Sequence, residues 1–459
     1  MTSGQGTPEP RVAVLVYNDA ANDSRVLKES ASLRDEGYDV RILAVERREL
    51  DRPAAVSRLG ERLTLERVPE FAFERIVPAL APVWRGLISQ DLEPASRVSA
   101  PPPPAPLAPP TQPRAALAGI RSHALRALRG LGERAYRTVA LGTYWKNVTQ
   151  AGLRVRPDVI HANDANTLVP ALAIRAASRG RIGIVYDSHE LWRHRNVRPG
   201  RLLAPHVEAL IEAVGIRRVD GVITVSPSIA DWLERTYRLP RRPALVRNVP
   251  VADDLPDPAS GVLRARAGLG AEDRVIAYGG RITTARGIEE TIAALPHLPA
   301  DVHFVLLGYG EQAALEQVRA EAAHHGVAER VHLVGAVEPD AVSRSLADGD
   351  VAVVHVRPIC LSYRFALPNK LFESIRAGLP IAAADLPDMR RVVEELGVGE
   401  VFQGSSPQDL AEALRAILDD PDTYRERARQ VADDLTWERE TESMLALYRR
   451  VMSETGRLS

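Results

Sequence analysis

The chain has 459 residues, 45% hydrophobic and 26% charged, with 59 Lys+Arg against 60 Asp+Glu and a net charge of −1. That composition is the one expected of a soluble globular chain of two or three domains, and its charge balance carries no global footprint for nucleic acid. The single cysteine, Cys360, excludes an intrachain disulfide and a cysteine metal cluster, and no run of 18 apolar residues marks a membrane span.

Residues 1–10 are polar and rich in Pro and Gly, and read as a disordered tail without a secretory signal. The run RVAVLVY (11–17) has strand length. A helical pattern follows from Ser24 to Arg34, then Gly37, then the strand-like YDVRILAV, a β–α–β opening of the kind that builds parallel sheets. Apolar runs recur at 158–161, 182–186 and 221–225, each followed by a helical stretch, so 11–248 reads as one doubly wound domain. Residues 66–150 interrupt it. They include APPPPAPLAPP (100–110), which cannot form regular structure. In the stretch 114–146, Arg121, Arg126, Arg129, Arg134 and Arg137 alternate with Leu, Ala and Ile at helical spacing. Two readings stay open for it: a basic amphipathic helix on an anionic membrane, or a helix packed on its own domain with solvated arginines.

Residues 249–262, VPVADDLPDPASGV, have the composition of a linker. A second series of strands follows within 263–436: RVIAYGG, VHFVLLG, RVHLVGA, VAVVHV and LPIAAA. The last segment, 437–459, holds a helix with Leu445, Leu447 and Tyr448 that is expected to pack back onto the first domain. The fold class is therefore α/β, with two Rossmann-like doubly wound parallel-sheet domains.

Three strand ends in the first domain carry polar clusters. One is Tyr17, Asn18 and Asp19, continued by Asn22, Asp23 and Arg25; another is His161, Asn163 and Asp164; the third is Asp187, Ser188, His189 and Glu190. All would meet at one edge of the sheet, where a histidine such as His189 can contact a sugar hydroxyl or move a proton. In the second domain, AYGGRITTARGIEE places Gly279 and Gly280 at a strand end and brackets a tight loop with Arg281 and Arg286. Two guanidiniums beside a Gly-rich strand end suit a diphosphate. LLGYGE (Gly308, Gly310) lacks the third glycine of a dinucleotide fingerprint, so no nicotinamide site is read.

The segment SYRFALPNKLFESIRAGLPIAAA (362–384) predicts a loop, a helix opened by Pro368 and closed by Gly378, and a buried strand. Leu371, Phe372 and Ile375 form its apolar face, with Asn369 and Glu373 sharing another. A carboxylate near a helix amino end suits a ligand with hydroxyls and phosphates; an ordinary surface helix is the competing reading. Asp348 and Asp350, and likewise Asp420 and Asp422, read as turn and capping residues rather than metal ligands. Ser226-Pro-Ser228 lacks the glycines of a nucleophile elbow.

Together these pieces resemble the retaining GT-B glycosyltransferases of family 4, the group 1 glycosyltransferases. The resemblance covers most of the chain outside 66–150 and the tail, and is most specific in the second domain. GGRITTARGIEE resembles the family's phosphate loop, with Arg281 matching its arginine and Arg286 standing for its lysine. LPNKLFESIRAGLPIAA resembles the segment with paired glutamates, Glu373 matching the second, which in the family binds the nucleotide ribose. His189 matches the family's histidine near the donor sugar and pyrophosphate.

The resemblance implies His189, Arg281, Arg286 and Glu373 as catalytic residues, and Gly279, Gly280, Gly308, Leu367, Pro368, Asn369 and Lys370 as donor-binding residues. Asn22, Asp23, Arg25, His161, Asn163 and Asp164 fall on the acceptor side. It implies retention, no metal and no cofactor, with a nucleotide diphosphate-sugar as co-substrate. The acceptor is a lipid-linked glycan, an envelope polymer or a small natural product, and the place is cytoplasmic, with 114–146 as a contact to the inner membrane face. Two departures stand out. Position 365, where the first glutamate belongs, is Phe365, and NDAANDSRVLKE replaces the family's Gly-Gly loop. They keep in view a non-catalytic nucleotide-sugar binder, a sugar-nucleotide epimerase or phosphorylase of the same fold, and a membrane-held structural protein with a vestigial cleft.

Overall fold

A computed structural model describes residues 9–21, 23–72, 114–196, 204–404 and 406–456, with side chains described except at 114–131, 133, 134 and 204. Asn22, most of the tail and the Pro-rich stretch 100–110 lie outside the described residues. The first sheet has eight strands: β1 (Arg11–Leu15), β2 (Asp39–Val45), β3 (Val56–Gly60), β4 (Leu63–Val68), β5 (Val159–Asn163), β6 (Gly183–Ser188), β7 (Gly221–Thr224) and β8 (Ala244–Leu245). Their order is β3-β4-β2-β1-β5-β6-β7-β8, and only the β3–β4 pair is antiparallel. The second sheet is β11-β10-β9-β12-β13-β14, all parallel, from β9 (Arg274–Gly279), β10 (Val302–Leu307), β11 (Val331–Leu333), β12 (Val351–Val354), β13 (Ile381–Ala384) and β14 (Gly399–Phe402).

Strands β5, β6, β12 and β13 are buried along their whole length. Helices cover both faces of each sheet, so β12 and β13 read as unbroken apolar runs, and β5 and β6 begin apolar and turn polar at their carboxyl ends. In both sheets the strand order reverses beside the first strand, at β1/β5 and at β9/β12. Loops leaving the carboxyl ends of strands part there and open a crevice.

The interruption read at 66–150 is corrected at both ends. Strand β4 runs on to Val68, in register with β2 (Val45 opposite Val68). The helix Arg114–Val155 is the β4-to-β5 crossover: Ala140, Tyr144, Val148, Ala151 and Val155 form a buried stripe on the sheet. At Gly152 a Cβ would lie 2.4 Å from Ile174 Cδ1, so glycine lets the helix sit this close to the helix Leu168–Ala177 without moving that side chain. The packed-helix reading thus holds for 140–155. The arginines that suggested a membrane face precede that stripe, and the sequence reading merged the two halves.

The chain crosses between the domains twice. It leaves β8 through 249–262 and returns after the second sheet, where Trp437 N–H donates to Pro250 O at 2.8 Å. The helix Trp437–Glu454 then lies on the first sheet. Leu447 and Val451 fit against Gly221 and Gly183, where a Cβ would come within 2.9 and 2.5 Å of those side chains. Its Trp437 Nε1–H donates to Ser32 Oγ at 2.9 Å. The acidic pairs serve as turn and cap ligands: Asp348 accepts from Leu263 and Arg264 N–H at 3.1 and 3.0 Å, and Asp420 from Thr423 Oγ at 2.9 Å.

Candidate active site

A cleft of about 750 Å³ lies between the carboxyl ends of the two sheets. The first domain supplies Asn18, Asp19 and Asp23 from the loop after β1, Arg25 from the first turn of the helix Ser24–Asp35, and His189 and Glu190 from the loop after β6. The second supplies Arg281 and Arg286 after β9, Tyr309 after β10, Ser362 and Tyr363, and Ala366 to Asn369.

The second-domain wall is a set of uncommitted donors. The Arg281 side chain is 59% exposed and its ion pair is to an exposed Glu311 at 3.3 Å. Arg286 stacks its guanidinium over the Tyr363 ring, 5.4 Å from the centroid. Directly after Arg286 the chain turns into the next helix at Gly287 (φ +78), where a Cβ would strike the His355 side chain at 2.2 Å. The helix Asn369–Arg376 starts after an extended Pro368, with no side-chain cap and no acidic residue in its first turn. Its free amides and dipole therefore point positive charge into the cleft. Its apolar face, Leu371, Phe372 and Ile375, is fully buried and fixes its position.

Four sequence-predicted donor residues support this wall rather than line it. Gly279 and Gly280 form the turn below Arg281, Gly280 with φ +122. Gly308 is glycine because a Cβ would lie 1.8 Å from Gly280 O, so there is a close backbone approach within the chain itself. Lys370 is buried, donates to His355 O at 3.2 Å and lies over the Tyr278 ring at 4.5 Å. Burial, with Arg286 nearby, pushes its ammonium down to about 7. Glu373 sits one turn inside Asn369, half-buried; burial raises its carboxyl to about 7 against the pull of Lys28 and Lys370.

The first-domain wall is backed by a buried charge network. Arg25, 4% exposed, makes a two-pronged bond to Asp187 (2.8 and 2.9 Å), donates to Val246 O at 2.6 Å and pairs with Glu29 at 3.1 Å. Although burial works against it, the Arg25 guanidinium holds Asp187 well below the usual carboxylate range. His161 is corrected: it is fully buried and faces away from the cleft, its Nδ1 bonded to Tyr448 Oη at 2.7 Å and its Nε2 3.3 Å from Glu29. Burial opposes its charge, but Glu29 and Asp187 raise it to about 9. Asn163 is also internal, tying Leu15 O (3.1 Å) to His189 (3.1 Å). Asp23 caps the helix Ser24–Asp35 and accepts from Asn18 at 2.8 Å. Asp164, in left-handed backbone at φ 59, stands 3.9 Å from His189 Nδ1.

His189 joins network and cleft. Its Nε2 donates to Asp187 at 2.9 Å while the ring reaches the cleft wall. Burial pulls its proton affinity down, but Asp187 and Asp164 override it and raise the imidazolium to about 10. Glu29, His161 and Asp187 are the one group among the described residues whose ligand atoms converge as for a metal ion. The Arg25 guanidinium pairs with two of them, Glu29 and Asp187, and supplies their counter-charge.

Two residues have roles the sequence did not assign. Glu190 lines the cleft, half-buried, with Oε2 3.5 Å from Ser362 Oγ; its place beside His189 at a strand end was the available signal. Phe365 turns out of the cleft and packs against the core of the first domain, while its carbonyl accepts from Ser226 Oγ at 2.9 Å.

Two family models match the chain: "Glycosyl transferases group 1" over residues 262–433 and "Glycosyltransferase Family 4" over residues 97–249. A D-inositol 3-phosphate glycosyltransferase 1 of Catenulispora acidiphila is 30% identical over 319 residues, covering 65% of this chain and 73% of the relative. A glycogen synthase of Mycobacterium tuberculosis is 27% identical, covering 65% of this chain and 70% of the relative. Among solved structures, a sucrose-phosphate synthase from Thermosynechococcus elongatus superposes with a TM-score of 0.70 at 16% identity, over 97% of this chain and 100% of that one. Anabaena HepE in complex with UDP superposes at 0.63 and 14%, over 96% and 100%. With its two facing parallel-sheet domains and its arginine-lined cleft, the chain belongs to the group 1 glycosyltransferases of the GT-B fold.

Proposed function

We propose that the chain moves a sugar from a nucleotide diphosphate-sugar to an acceptor hydroxyl, with retention at the anomeric carbon and without a metal ion. The observation that carries this reading is the convergence of Arg281, Arg286 and the uncapped helix amino end at Asn369 on one wall, facing the charged His189 on the other. Glu373 holds the ribose. The two arginines, the helix amides and the His189 imidazolium meet the charge that grows on the diphosphate as the glycosidic bond breaks. Preorganised donors of this kind contribute about 3 kcal/mol each to the transition state. The leaving phosphate takes the acceptor proton on the face it departs from, which keeps the anomeric configuration. The acceptor enters from the first domain, and we assign the basic stretch 114–139 to holding it at a membrane surface.

The UDP named in the solved HepE complex makes uridine nucleotides the first probes. Calorimetric titration with UDP, GDP, dTDP and ADP and their sugar conjugates, with Arg281→Ala as control, tests the donor site. Selective binding that the variant loses supports the reading; no binding by the wild type sinks it. The anomer of the product, read by NMR, tests retention. A second reading, a nucleotide-sugar binder without turnover, is favoured by Phe365, which leaves the second-domain wall without a carboxylate at that position. It predicts binding with no transfer to any acceptor.

A further inference from the structure

Within the glycosyltransferase reading, the ligand is a linear string of ribose, two phosphates and a sugar. With the ribose at Glu373 and the phosphates at Asn369, the sugar lies on the far side of Asn369. There the wall continues as Ala366, Tyr363 and Ser362. The second domain offers no carboxylate in that stretch: position 365 is a phenylalanine, and Phe365 packs on the first-domain core. The group facing Ser362 from across the cleft is Glu190, at 3.5 Å.

The other cleft carboxylates are occupied. Asp19 accepts from Ala21 N–H at 3.0 Å, and Asp23 from Val26 N–H and from Asn18. Arg195, the cation that draws most on Glu190 ahead of His189, is itself bonded to Glu208 at 3.0 Å and stacked on Trp192 at 3.3 Å. Glu190 is thus the cleft carboxyl whose contact to the protein is the longest and weakest among the described residues. We propose that Glu190 binds a hydroxyl of the donor sugar from the first-domain wall, in place of the carboxylate that position 365 lacks. Burial and Asp164 raise this carboxyl to about 7, so near neutrality it both donates and accepts, which suits a hydroxyl partner.

The inference rests on the function proposed above, and a paired titration separates the two. UDP is compared with UDP-glucose, and GDP with GDP-mannose, on the wild type, Glu190→Ala and Glu190→Gln. Glu190→Ala should bind the free diphosphate as the wild type does and lose about tenfold or more in affinity for the matching nucleotide-sugar. Glu190→Gln, which keeps an acceptor and the side-chain shape, should lose less. Equal loss for diphosphate and sugar conjugate would mean that Glu190 shapes the wall instead, and would overturn the proposal. So would an alanine variant that binds both ligands unchanged. A wild type that binds neither class of ligand overturns the parent function and this assignment with it.

Discussion

The two walls of the cleft carry similar numbers of polar residues but use them in opposite ways. On the second-domain wall Arg281, Arg286 and the amides at Asn369 have no buried partner, so their full hydrogen-bonding capacity faces a ligand. On the first-domain wall Arg25, Glu29, His161 and Asp187 are bonded chiefly to one another and to Tyr448 of the last helix. A charge that the fold has already neutralised organises the protein; a charge left open organises the substrate. His189 and Glu190 are where the first wall crosses from one use to the other.

The strongest way to break this comparison is to remove the centre of the network. Asp187→Ala removes the two-pronged partner of the buried Arg25 guanidinium and leaves it Glu29 as its one carboxylate, and should cost about 3–5 kcal/mol in denaturant unfolding. A cost below about 1 kcal/mol would mean that the first-wall charges are not structural and are open to ligands after all. On the opposite wall, Arg281→Ala and Arg286→Ala should each lower the transfer rate by about a hundred- to a thousandfold while unfolding changes by less than about 0.5 kcal/mol. If either variant kept its rate, the donor site would have to be moved.

His189 offers a sharper test, because it belongs to both systems. Its folded-state value of about 10 lies above the ordinary imidazole value of about 6.5. The stabilisation it gains from Asp187 is therefore fully present below about pH 6.5 and is lost as pH rises through about 10. The stability advantage of the wild type over His189→Asn should shrink across that window, by up to about 1.4 kcal/mol per pH unit. A difference that stays flat from pH 7 to 10 would show that His189 is neutral in the folded chain.

What the sequence made legible follows the same division. Arg281, Arg286 and the helix after Pro368 could be read because exposed donors announce themselves by residue type beside glycine and by helix-boundary signals. His161 and Arg25 could not be placed, because a polar residue at a strand end looks the same whether it points into the crevice or beneath it. What decides is the helix Trp437–Glu454, almost 300 residues away in sequence from His161, which brings Tyr448 to it. The strand β3 and the short β14 were missed for a related reason: they are partly exposed edge strands, held by pairing rather than by an apolar run. Glu190 was visible as a residue but not as a site, since its importance comes from Ser362 on the other domain.

The smallest predicted effect concerns how the walls are held facing each other. Asp388 is buried in the first turn of the helix Pro387–Leu396, yet its carboxylate reaches across to the amino end of the helix Pro227–Tyr237. There it accepts from Ser228 N–H at 3.1 Å and from Ser228 Oγ at 3.0 Å. One carboxylate thus serves two helix amino ends belonging to different domains, where both dipoles favour it. Asp388→Ala should cost about 1 kcal/mol, the worth of a lost cap. That loss is small against the whole fold but falls entirely on the contact between domains. The informative readout is small-angle scattering: the variant should show a larger radius of gyration than the wild type, with the difference closed by saturating donor. If the radius is unchanged and the donor affinity is unchanged, Ser226 and Phe365 suffice to hold the domains together. The facing of His189 and Glu190 toward Arg286 and Ser362 would then be set by that contact and the two chain crossings rather than by this shared cap.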